Sequence, residues 1–109
     1  MLSLISAAAS QRDIPIHPED IEKVEVTGST VAVYFLRSSQ SEALASDREL
    51  SLGLSFPFAA AKDMSIANIS WVAGRFASIS FRLPTPEDGE QFAQGVRDGR
   101  VQLSTHPKT

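Results

Sequence analysis

Ala77-Ser78-Ile79-Ser80-Phe81-Arg82-Leu83, followed by Pro84-Thr85-Pro86-Glu87-Asp88 and then by Phe92, Ala93, Val96 and Gly99, changes its period halfway along. Up to Leu83 apolar residues alternate with serines and an arginine, the period-two pattern of a half-buried strand. From Thr85 the signals are helical. Thr85 suits the N-cap, Pro86 the first helical position, and Glu87 and Asp88 the first turn, where the helix dipole favours anions. Phe92, Ala93 and Val96 form one apolar stripe, and Gly99 is placed as the left-handed residue that ends the helix. A strand that hands over to a helix near the C-terminus limits the architectures open to the chain.

Upstream, alternation continues. Leu50, Leu52, Leu54 and Phe56 are separated by Ser51, Gly53 and Ser55, and Pro57 closes the run. Met64 and Ile66 lie on one parity and Ile69 and Trp71 on the other, so a bulge is expected near Ala67-Asn68. With a turn at Gly74-Arg75, these segments read as a three-strand meander. Val24 and Val26, then Gly28-Ser29, then Val31, Val33 and Phe35 read as a hairpin. Between Arg37 and Glu49 a short strand is expected around Ala43 to Ala45, because long structureless loops are uncommon in compact domains. The expected fold is mainly β: a small antiparallel barrel or roll of five to seven strands within 22–83, closed by a C-terminal helix over 85–98. A short N-terminal arm or helix over 1–15 precedes it, and 105–109 is expected to be a tail. A short last strand over Arg100 to Ser104 is also compatible with the pattern.

Composition narrows the function. The 109 residues form one domain's length, with no cysteine and a net charge of −3. Thiolate chemistry, disulfides and cysteine-based metal sites are excluded, and a broad cationic face for nucleic acid is not expected. No run approaches the ~20 apolar residues of a membrane span. Met1 to Ala9 is apolar or small, but its first basic residue, Arg12, follows the run, unlike a secretory signal. A cytoplasmic protein is expected. The early apolar residues Leu2, Leu4 and Ile5 must pack on something, either over an open barrel end or against a second chain, and they are assigned to a partner contact together with Trp71.

Candidate chemistry is sparse. His17-Pro18-Glu19-Asp20 groups one imidazole with two carboxylates, yet proline followed by acidic residues is also how a short helical turn begins. Glu87, Asp88 and Glu90 are explained by capping. A catalytic serine needs a base and an oxyanion hole, and the only bases are His17 and His106. A small serine hydrolase built on His17 is the remote alternative. No cofactor or metal is expected.

From Leu50 onward the chain resembles the second half of a PilZ domain. The matching residues are Leu54-Ser55-Phe56-Pro57, Ile69-Ser70-Trp71-Val72-Ala73-Gly74, Ile79-Ser80-Phe81 and Pro86-Glu87-Asp88. The resemblance implies a bacterial regulatory module whose usual ligand is cyclic di-GMP, held by a pair of arginines in an R-x-x-x-R arm and by a D/N-x-S-x-x-G strand motif. This arm has the single arginine Arg12 in Gln11-Arg12-Asp13-Ile14-Pro15, with Arg37 and Arg48 as the other arginines considered, and the strand motif is missing. The resemblance therefore implies a degenerate member: a non-enzymatic adaptor that binds a protein partner or forms a homo-oligomer. The ending resembles pleckstrin-homology-like domains almost as closely, and an interaction domain of that kind, or a phage- or plasmid-encoded inhibitor, is the alternative.

Tight cyclic di-GMP binding is not expected. One charge-assisted contact contributes roughly 1.5–3 kcal/mol, while micromolar affinity needs about 8. Isothermal titration should give a dissociation constant weaker than about ten micromolar; a tighter one would show that Arg37 or Arg48 joins Arg12 on the phosphates.

Overall fold

The computed structural model describes residues 13–54 and 58–108. The chain runs β1 (Ile14–Ile16), β2 (Ile21–Thr27), β3 (Thr30–Phe35), β4 (Arg48–Leu54), β5 (Ser65–Val72), β6 (Arg75–Arg82), α1 (Pro86–Asp98) and β7 (Val101–Pro107). All pairings are antiparallel. One sheet has the order β1-β7-β4 and the other β2-β3-β6-β5, so the seven strands form two sheets and do not close into a barrel.

Local chemistry accounts for the elements. Gly28, at φ 60°, turns β2 into β3 and sets Val24 against Val33 and Val26 against Val31. Helix α1 starts where Thr85 Oγ1 accepts the Asp88 N–H at 3.1 Å. It ends where Gly99, at φ 79°, lets the Arg100 N–H reach the Gly95 carbonyl at 2.8 Å. The expected bulge is present: Ile66 pairs with Phe81 and Asn68 with Ser80, which leaves Ala67 unpaired. The β5–β6 turn falls at Ala73-Gly74, not at Gly74-Arg75, with both residues at positive φ.

One core unites the layers. Val31, Val33 and Phe35 of β3, Phe76, Ile79 and Phe81 of β6, and Val101 and Leu103 of β7 meet the α1 stripe of Phe92, Ala93 and Val96. The Phe81 and Phe92 rings lie 5.0 Å apart in a tilted contact.

Several sequence expectations are corrected. The expected tail is the central strand of the first sheet, since β7 continues to Pro107 with β1 on one side and β4 on the other. Its inward row is Val101, Leu103 and Thr105, and the hydroxyl of Thr105 disguises the last member as polar. The arm over 1–15 ends in β1, which lies outside the 22–83 span expected to hold the strands. The meander is also broken: β4 pairs with β7 along its whole length, Arg48 to Leu54, while β5 pairs with β6. In place of a strand at Ala43 to Ala45, Glu42–Leu44 forms a 3-10 turn capped by Ser41, and only Ala45 bridges to Arg75.

That turn bridges the two sheets. Thr105 is fully buried, and its hydroxyl donates to the Ala43 carbonyl at 2.7 Å while accepting the Arg48 Nε–H at 2.9 Å. Arg48 also donates to the Thr105 carbonyl at 2.8 Å. On the other side, the Ser46 N–H donates to the Gly74 carbonyl at 2.9 Å, and the Arg75 guanidinium donates to the Ser41 carbonyl. Thr105→Val keeps the shape but strands a buried carbonyl and a guanidinium N–H, so it should cost about 1–3 kcal/mol in urea denaturation. An unchanged midpoint would show that the hydroxyl is dispensable.

Candidate functional site

The outer strands of the two sheets differ in how they are protected. An edge presents unpaired N–H and C=O groups that invite another strand, and proteins blunt such edges with charge, proline, brevity or bulges. Strand β1 is three residues long and contains Pro15. Strand β2 carries Glu22, Lys23 and Glu25, and Arg97 donates to its Val24 carbonyl at 3.1 Å. Strand β4 opens with Arg48 and Glu49. Strand β5, Ser-Ile-Ala-Asn-Ile-Ser-Trp-Val, has eight residues and neither charge nor proline. Its protection is irregularity alone: the ladder with β6 shifts register at Ala67 and again between Ser70 and Trp71.

The side chains of β5 reinforce the point. Ile66, Trp71 and Val72 are 47%, 49% and 51% exposed, against near-complete burial of Phe76, Ile79 and Phe81 on the neighbouring strand. Ile66, Ile69 and Trp71 pair with Phe81, Ile79 and Phe76, so they share the core-facing side of the sheet. Ile69 is partly buried against the core, whereas Ile66 and Trp71 stay half-exposed, and β4, the edge of the other sheet, is not hydrogen-bonded to β5. Between the two edges runs an apolar seam. One cavity of about 280 Å³ is lined by Leu50, Ile66, Ile69, Trp71 and Phe76, with Arg48, Glu49 and Lys108 at its rim. A second, of about 120 Å³, continues from Leu50 and Ile66 to Leu52 and Met64.

Polar chemistry gathers elsewhere, on the outer face of the first sheet. His106 Nδ1 lies 2.7 Å from Ser51 Oγ, and Nε2 lies 3.2 Å from Glu49 Oε2. Asp13 Oδ1 is 3.7 Å from Nδ1, and Ser104 Oγ donates to Asp13 Oδ2 at 3.3 Å. Register produces this row, since Glu49 faces His106 and Ser51 faces Ser104 across the ladder. The set contains a hydroxyl, an imidazole and a carboxylate. Ser51, however, sits in mid-strand, whereas an acylating serine uses a sharp turn that presents two backbone N–H groups to one point. Cross-strand pairing of neighbours explains the contacts.

The residues proposed from sequence are spread over the molecule. Trp71 lies on the seam. Arg37 is exposed just beyond β3, where it borders a cavity of about 120 Å³ with Val72 and Arg75. Arg12, Leu2, Leu4 and Ile5 lie outside the described residues. His17 belongs to a turn: its N–H donates to Asp20 Oδ2 at 3.1 Å and its carbonyl accepts the Asp20 N–H at 2.9 Å. It is His106, not His17, that the structure brings to a serine. Among the described residues no cluster of three or more His, Asp or Glu is placed to hold a metal, and no helix is long and apolar enough to cross a membrane. The sequence reads Leu50, Leu52, Ile66 and Ile69 as strand faces and does not show the seam they form together. The available signal was a whole strand without a charge.

His106→Ala should lower stability by no more than about 1 kcal/mol, the usual range for exposed cross-strand pairs. A fluorophosphonate probe should leave Ser51 unlabelled at pH 7, and mass spectrometric detection of the adduct would establish a nucleophile. Comparison of the chain with protein-family models, with curated proteins and with solved structures returns no match.

Proposed function

We propose that the protein is a non-enzymatic regulatory or adaptor domain of the bacterial cytoplasm, of the degenerate PilZ-like kind, which binds another protein through strand β5 and the seam behind it. One observation carries this reading: among the described edge strands, the one without charge or proline is also the one with three large apolar residues at about half exposure. Such an edge is suited to strand addition, in which main-chain hydrogen bonds supply affinity and the side-chain pockets supply specificity. The occupant would be an extended segment whose inward residues fit beside Leu50, Ile69 and Trp71. Its outward residues would lie level with Asn68 and Ser70. A pleckstrin-homology-like interaction domain or an inhibitor protein would use the same surface in the same way.

The pocket bordered by Arg37 and Arg75 has a volume of about 120 Å³. That is well below the ~300–1,000 Å³ of ordinary small-molecule sites and does not favour a cyclic dinucleotide.

The reading is tested by immobilising the wild-type protein, Ile66→Lys, Trp71→Lys and His106→Ala and exposing each to lysate of the source organism. Both lysine variants change exposed residues, so their circular dichroism should match the wild type. A stable partner should be recovered by the wild type and by His106→Ala, and lost with either lysine on β5. Recovery by both lysine variants, or loss with His106→Ala alone, would place the function elsewhere.

A further inference from the structure

Resting on the reading of β5 as an interaction edge, we infer that the segment it binds runs antiparallel to β5 and carries a glutamate just before its apolar run, seated in the pocket bordered by Val72, Arg37 and Arg75. That pocket lies across the start of β6, between the last residue of β5 and the chain that leaves β3. Phe35, Leu36, Val72 and Phe76 give it apolar walls. At about 120 Å³ it is too small for a whole small-molecule ligand and of the order of one side chain.

Charge selects the occupant. Two arginines line the pocket, and among the described residues that border it there is no carboxylate. The ion pairs among the described residues are Lys23–Glu25, Arg100–Asp98 and those of His106 with Asp13 and Glu49, so none of them neutralises Arg37 or Arg75. Arg75 donates to the Ser41 carbonyl, which orients the guanidinium and leaves its charge in place. In a chain of net charge −3, an apolar hollow bordered by two cations suits an apolar stem that ends in an anion. The hollow is also held in shape. Phe35 and Phe76 are buried, Ala45 bridges to Arg75, and the Ser46 N–H holds the Gly74 carbonyl at 2.9 Å. Ala73, in the wall, is the one non-glycine residue at positive φ among the described residues, at 53°, a conformation that persists where its surroundings fix it. A preformed pocket loses little on ordering when it is filled.

Direction and residue type follow from the sheet. Every strand pairing in the fold is antiparallel. A strand added to β5 in that sense has its N-terminal end beside Val72, so the anion there is a side chain and not a C-terminal carboxylate. The pocket lies over the next strand inward, about 4.8 Å beyond Val72, which favours glutamate over the shorter aspartate. Strand β5 itself is uncharged, and one ionic contact at its end sets the register of an otherwise apolar pairing.

The test is an NMR titration of the isotope-labelled full chain with three hexapeptides, each acetylated and amidated: Glu-Val-Thr-Val-Thr-Val and its counterparts beginning with Gln and Lys. The Glu peptide should move the amides of Asn68 to Val72 together with those of Arg37 and Arg75. It should bind at least tenfold more tightly than the Gln peptide, and the Lys peptide should bind most weakly. Arg37→Glu, at an exposed site, should reverse the order of the Glu and Lys peptides, and Arg37→Gln should make the Glu and Gln peptides equal. Equal affinities of the Glu and Gln peptides for the wild type, or an order unchanged in both variants, would overturn the inference and leave the interaction edge standing. Shifts at Arg37 and Arg75 with none on β5 would overturn it too, reducing the pocket to a site for a free anion. Peptides that move no amide would overturn it as well, and the edge reading would fall with it where the β5 lysine variants also keep the lysate partner.

Discussion

A strand at the edge of a sheet must find partners for its outward N–H and C=O groups, in water or in another chain. In this protein two edges, β4 and β5, face each other across a seam without hydrogen-bonding. The core supplies the reason they stay apart. Strand β7 already pairs with β4 on one side and β1 on the other, and the Arg48–Thr105–Ala43 hydrogen bonds hold β4 to it. At the other end, Ala45 and Ser46 pin the connecting segment to the β5–β6 turn at Gly74 and Arg75. These contacts direct β4 to one layer and β5 to the other, and apolar side chains from both remain at the opening.

The two polar networks of the molecule have different consequences. The Thr105 network is buried, so each lost hydrogen bond leaves a desolvated group unpaired, and it defines how the layers meet. The His106 row is partly exposed on the outer face, where water can replace a lost contact and the energetic effect is smaller. Similar chemistry on paper, a hydroxyl beside charged groups, is structural in the first case and marginal in the second. Burial decides between them.

Much of this was legible in the sequence, and the failures have physical causes. The helix was readable because Thr85, Pro86 and Gly99 act locally, through a cap, a fixed φ and a left-handed turn. The β2–β3 hairpin and the Ala67 bulge were readable from alternation and its change of phase. Partner choice between strands was not, since a period-two pattern shows which residues face inward and not which strand lies beside them. Strand β4 was therefore assigned to β5, its neighbour in sequence, when its partner is β7, about fifty residues away. Thr105 escaped notice because a threonine is polar by composition and becomes core only when a carbonyl and a guanidinium meet it. Trp71 was identified, but the seam that gives it meaning exists only once β4 has gone to the other sheet.

Amide hydrogen exchange tests the central claim, that β5 is an open edge waiting for a strand, most directly. In dilute protein the outward-facing amides between Asn68 and Val72 should exchange rapidly, while those of β6 and β7 stay protected. With the bound partner, the same β5 amides should slow together and β6 should change little. Protection of β5 already complete in the free protein, or exchange indifferent to the partner, would contradict the account.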